Sequence, residues 1–126
     1  MTYYSDGFLN GQSPLRKGGY TIFNEKGELI RKEVIQKIGL TNNEAEFLGV
    51  FNALKIAENY DTIITDSQCS IAWVRTGRSK ARPDLADILK EAKTLKETKC
   101  VNLIWESRDN NLAGIYNERK FIGKCG

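Results

Sequence analysis

The stretch Leu40-Thr41-Asn42-Asn43-Glu44-Ala45-Glu46 opens the best-marked helix of the chain. Thr41, followed three residues later by Glu44, fits a capping box: the threonine hydroxyl accepts from the Glu44 amide, and the Glu44 carboxylate is expected to reach back to the Thr41 amide. Ala45, Leu48, Phe51 and Ile56 then recur at helical spacing on one broad face, and the helix is expected to end near Glu58 to Tyr60. With Glu44 engaged in the cap, Glu46 is the acid left to face the rest of the fold.

Upstream of this helix the pattern changes to strands. Tyr3 to Leu9 places aromatic and apolar residues around a single acid, Asp6, and a turn follows at Gly11 to Pro14. Gly19 to Asn24 reads as a second strand, Asn24 to Gly27 as a hairpin turn, and Glu28 to Ile38 as a third strand with Ile30, Val34 and Ile38 on one face. Downstream, Asp61 to Asp66 is a short buried strand and Ser67 to Val74 a short helix. Arg75 to Arg82 reads as a basic loop, and Pro83 opens a helix running to about Thr98 with Leu85, Ile88, Leu89, Ala92 and Leu95 in register. Val101 to Trp105 is a fifth strand, and Asn110 or Asn111 caps a last helix ending near Phe121. Short connections make the first three strands antiparallel, and returns through helices make the later ones parallel. The expectation is an α/β domain spanning 1–126, with a mixed five-stranded sheet and helices on both faces.

Composition narrows the function. The net charge is +3 and the pI about 8.8, which permits a nucleic-acid partner without requiring one. Histidine is absent, so catalysis must do without the commonest general base and transition-metal ligand. Cys69, Cys100 and Cys125 are widely spaced and form no zinc pattern; they read as free thiols, with a disulfide at Cys125 as the minor alternative. No apolar run approaches the roughly 18 residues of a membrane span. The first ten residues lack a basic region followed by an apolar one, so the expected location is the cytoplasm and the expected state a monomer without a membrane partner.

Three acids stand out by position. Asp6 lies inside a strand, where a carboxylate costs several kcal/mol, roughly, unless something compensates it. Asp66 lies at the carboxyl end of a strand, where open α/β sheets place ligands. Glu46 lies in the first turns of the capped helix. Each alone has an ordinary explanation: a salt bridge for Asp6, the helix dipole for Glu46, an N-cap at Asp66-Ser67. Together, on elements whose ends the topology brings side by side, they make a set of oxygen ligands suited to magnesium or manganese.

Tyr4-Ser5-Asp6-Gly7, Leu40 to Glu46 and Ile64-Thr65-Asp66-Ser67-Gln68 resemble, in order and spacing, the three successive signatures of the type 1 ribonuclease H (ribonuclease HI) family. The resemblance covers nearly the whole chain. It implies a ribonuclease H-like fold and a site of four acidic positions holding two ions, Mg2+ or Mn2+, that cut the RNA strand of an RNA–DNA hybrid. Asp6, Glu46 and Asp66 match the first three positions as catalytic and metal-binding residues. The resemblance further implies that Glu46 contacts a ribose 2′-hydroxyl, which helps tell RNA from DNA. Asn10, Thr41, Asn42, Asn43 and Gln68 take the places of substrate contacts, although Thr41 and Asn43 serve the helix cap equally well. Tyr3, Tyr4 and Tyr20 read as core residues rather than stacking platforms.

The chain departs from the family at the fourth position. Trp105 to Arg108 fits the strand end that precedes it, but Gly114 stands about where the family has Asp. Asn117, one turn further, is the favoured replacement as catalytic and metal-binding residue; Glu118, Asp109 or a water at Gly114 are the alternatives. The family's mobile histidine has no counterpart, which bears on turnover rather than cleavage. In place of a basic helical handle the chain has only Arg75, Arg78, Lys80 and Arg82 beside Trp73, either a solvated charged loop or a short contact to DNA phosphates. Two other functions stay open: a catalytically silent nucleic-acid-binding module, and a nuclease for other duplexes such as double-stranded RNA.

Overall fold

A computed structural model describes residues 1–10 and 15–107. The expected last helix with its candidates Asp109, Gly114, Asn117 and Glu118, the expected turn at 11–14, Arg108 and Cys125 lie outside the described residues.

Five strands form one sheet: β1 (Thr2–Asn10), β2 (Leu15–Asn24), β3 (Leu29–Ile38), β4 (Thr62–Thr65) and β5 (Asn102–Trp105). Their order is β3-β2-β1-β4-β5. β1 pairs antiparallel with β2 and β2 with β3, whereas β4 runs parallel to β1 and β5 parallel to β4. The mixed sheet expected from connection lengths is therefore present. The second strand starts at Leu15, earlier than the apolar pattern indicates, because Arg16 and Lys17 pair through their backbones with Lys37 and Gln36.

Three α-helices are described: α1 (Asn42–Ile56), α2 (Gln68–Thr76) and α3 (Ala86–Lys99), the last preceded by a single 3-10 turn at Pro83–Leu85. Pro83 thus begins a 3-10 turn rather than the α-helix itself. Arg75 belongs to α2, so the basic loop is shorter than expected; α2 ends at Gly77, whose left-handed backbone (φ 70°) stops the helix.

The broad face expected of α1 understates its burial. Phe47, Val50, Ala53 and Leu54 have no exposed surface, while Leu48 and Ile56 are only partly buried. The reason is that α1 packs against the sheet at β1, β2 and β4 and also against α2 and α3. Phe47 stacks on Phe51 with ring centroids 5.9 Å apart and meets Trp73 edge-on at 5.8 Å. Trp73 therefore flanks the core. Tyr3 and Tyr20 are core residues as expected, and Tyr4 is half-buried.

Candidate metal centre

Register places two of the acids. β1 and β4 pair in parallel as Thr2 with Thr62, Tyr3 with Ile63 and Tyr4 with Ile64. Asp6, in the middle of β1, and Asp66, just past the end of β4, each lie two residues beyond the last pair, so strand alternation carries both to the same side. Asp66 follows the last residue of β4 in a bend with two supports. The Trp105 indole Nε1 donates to the Asp66 carbonyl at 3.0 Å, and the Ser67 amide donates to Thr65 Oγ1 at 3.1 Å. Ser67, not Asp66, caps α2: its hydroxyl accepts from the Ser70 amide at 3.0 Å. The ordinary N-cap explanation of Asp66 therefore does not apply.

The third acid arrives from α1. Gly7 lets the helix lie directly on β1, since a Cβ there would overlap the Glu46 backbone nitrogen and fall 2.7 Å from the Ala45 carbonyl carbon. Glu46 is thereby set beside Asp6. One carboxylate oxygen from each of Asp6, Glu46 and Asp66 lies within 4.8 Å of the others. Asp6 and Glu46 are buried and Asp66 is half-buried. At that separation each pair of like charges repels by about 3–4 kcal/mol for an effective dielectric near 20. A hard divalent cation removes that repulsion, and an all-oxygen donor set is what magnesium and manganese prefer. The donors, their spacing and their partial burial fit such an ion.

The neighbours of the cluster are unequal. Asn42 Nδ2 donates to Glu46 Oε1 at 3.1 Å, so this asparagine orients an acid of the cluster. Thr41 Oγ1 accepts from the Glu44 amide at 3.1 Å and from Arg82 Nη1 at 3.2 Å, which makes it the helix cap. Asn43, Asn10 and Gln68 are exposed. Half of the capping box is different from expectation. The Glu44 carboxylate does not turn back to Thr41; its two oxygens accept from Lys37 and Arg82, each at 2.6 Å. Arg82 is correspondingly not part of a solvated loop. Cys69, half-buried next to the cluster, is a free thiol whose pKa is pushed up, first by burial and then by the charge of Glu46. Cys100 is free and exposed. None of the described helices is long and apolar enough to cross a membrane.

Sequence reasoning missed Gly7 as a positioning residue, although its place next to Asp6 was the available signal. It placed Arg82 in a basic loop and missed its partner Glu44, which lies 38 residues away.

Comparison with known proteins gives the same fold. An N-terminal RNase H domain from Mycobacterium tuberculosis, solved as a fusion with maltose-binding protein, superposes with a TM-score of 0.64 at 19% identity, over 89% of this chain and 90% of that one. RNase H1 from the halophilic archaeon Halobacterium salinarum gives 0.62 at 20% identity, over 93% and 94%. LC11-RNase H1, solved in complex with an RNA/DNA hybrid, gives 0.60 at 18% identity, over 87% of each chain. At these identities the likeness is one of fold. The RNase H family model, however, matches residues 1–113, a span that contains all three acids. On that match and this architecture, the chain belongs to the RNase H family.

Proposed function

We propose that this chain hydrolyses the RNA strand of RNA–DNA hybrids, with two divalent cations, Mg2+ or Mn2+, held by Asp6, Glu46 and Asp66. The observation that carries the reading is the convergence of these three carboxylates within 4.8 Å in a chain of the RNase H family. When bound, such cations supply water activation and stabilisation of the leaving 3′ oxygen in an in-line displacement. Asp6 holds its charge in the middle of β1 and Asp66 just past the end of β4, both carried by the sheet. Glu46 adds the third carboxylate from α1, oriented by Asn42, and is the acid assigned to a ribose 2′-hydroxyl. We assign the fourth ligand to Asn117, and contacts to the hybrid to Asn10, Asn43 and Gln68. Thr41 acts through the helix cap.

The test is cleavage of a labelled hybrid, double-stranded RNA and double-stranded DNA side by side, under magnesium and manganese titration. The expected result is metal-dependent cutting of the RNA in the hybrid alone. Asp6→Asn should bind the hybrid and fail to cut it. Binding without cutting by the wild type would favour a silent binding module, and equal cutting of double-stranded RNA a broader nuclease. Asn117→Ala should lower activity at least ~10-fold; near-normal activity there, with loss in Glu118→Ala, would move the fourth ligand to Glu118.

A further inference from the structure

Glu44 is two residues from Glu46 on α1, so the two side chains leave the helix in nearly opposite directions. Glu46 goes to the acidic cluster. Glu44 goes to the other side and is almost wholly buried, with a side-chain exposure of 4%. Two cations close on it, one seven residues before it in the chain and one 38 residues after it. Lys37, near the end of β3, donates to Oε2 at 2.6 Å. Arg82, ahead of the 3-10 turn, donates through Nη2 to Oε1 at 2.6 Å and through Nη1 to the capping hydroxyl of Thr41 at 3.2 Å. Asp84 fixes the guanidinium in turn, accepting from Nε at 3.0 Å and from Nη2 at 2.9 Å. One planar group therefore grips both the cap residue of α1 and the carboxylate three residues on.

A helix start is where fraying begins, and this start has a particular reason to move. Without cations, Glu46 faces the like charges of Asp6 and Asp66, and their repulsion favours moving it away from them. The first turn of α1 needs a tether on its far side to hold Glu46 in place. We propose that Glu44, gripped by Lys37 and Arg82, is that tether: a positioning residue that sets the first turn of α1 and, through it, the place of Glu46 and Asn42 in the cluster. The inference rests on the reading of Asp6, Glu46 and Asp66 as a cation site.

The experiment compares the full chain with Glu44→Gln, Arg82→Met, Arg82→Lys and Lys99→Met. Lys99 is the control, because its ammonium group donates to the carbonyls of Leu54, Lys55 and Ala57 and ties down the opposite end of the same helix. In the metal-free protein, hydrogen exchange at the Ala45 amide, which donates to the Thr41 carbonyl at 3.1 Å, is expected to quicken about tenfold in Glu44→Gln and Arg82→Met. It should stay near wild type in Lys99→Met. Mg2+ titration followed at the Glu46 and Asp66 amide resonances should show an affinity about tenfold lower in the same two variants. Arg82→Lys should recover part of it, and Lys99→Met should keep it. Unchanged exchange and affinity in Arg82→Met, or an equal loss in Lys99→Met, overturns the proposal. So does a Glu44→Gln that fails to fold if Arg82→Met folds with wild-type Mg2+ affinity. A wild type that shows these shifts but cuts no hybrid overturns the nuclease reading and leaves the tether standing. A wild type that takes up no Mg2+ at the cluster overturns both.

Discussion

Gly7 and Glu46 meet backbone to backbone: the space a side chain would need at position 7 is already filled by the Glu46 nitrogen and Cα and by the Ala45 carbonyl carbon. The atoms in the way are main chain of a buried helix, not the end of a flexible side chain. The residue next to Asp6 therefore determines how close Glu46 can come to it. Gly7→Ala should push α1 off β1, lower stability by about 2 kcal/mol or more, and cost hybrid cleavage more than a surface variant of equal instability. Thermal melting together with single-turnover cleavage checks this; an alanine variant with wild-type melting and rate would show that the helix can shift at no cost.

Asn42 is exposed, yet its amide is used on Glu46 rather than left to solvent. Asn42→Ala should lower kcat about tenfold and leave KM for the hybrid within about twofold, as expected for a group that orients an acid. A raised KM with unchanged kcat would make it a contact to the nucleic acid instead.

Asp61 offers a pH signature remote from the cluster. The hydrogen bond from the N-terminal amine at 2.8 Å holds its carboxyl below the ordinary aspartate range; burial opposes this, and the Glu58 amide at 2.8 Å adds to it. A carboxyl whose pKa is depressed by folding stabilises the folded state above its unfolded pKa, about 3.9, and that stabilisation is lost as pH falls through the folded value. The Tm of wild type should exceed that of Asp61→Asn by a constant margin from pH 7 to 5. Below about pH 4 the margin should close. A margin unchanged at lower pH would refute the assignment.

Cys100 ends α3 in a left-handed conformation, φ 53° and ψ 41°, which costs a residue with a side chain about 1 kcal/mol. Cys100→Gly should raise the Tm by about 2–4 °C, and Cys100→Ala, which keeps the strain, should not. Differential scanning calorimetry of the two variants distinguishes relief of strain from loss of the thiol.

How much of this was legible depends on the range over which each signal acts. Strand alternation, the Thr41 cap, the periodicity of Leu85, Leu89 and Ala92, and the turn at Asn24 are set by bonds and contacts within a few residues, and the sequence shows them. The order of these elements, with short links first and helical returns later, also fixed the mixed sheet. Asp6, Glu46 and Asp66 were recognisable as a set because each stands next to a local signature.

What sequence could not determine is where a side chain goes when it has two choices. Glu44 had a partner at its own helix start, another in Lys37 at the end of the preceding strand and a distant one in Arg82; packing brought both cations to it, and a buried carboxylate held by two cations prevails over a solvent-facing bond to one amide. Likewise, Gly7 is an unremarkable strand glycine until a helix is laid across it. Sequence alone named the three acids and the elements that carry them. Tertiary structure decided that they lie within 4.8 Å, because that distance depends on the register of β1 with β4 and on the closeness of α1 to Gly7, both of which are contacts between residues far apart in the chain.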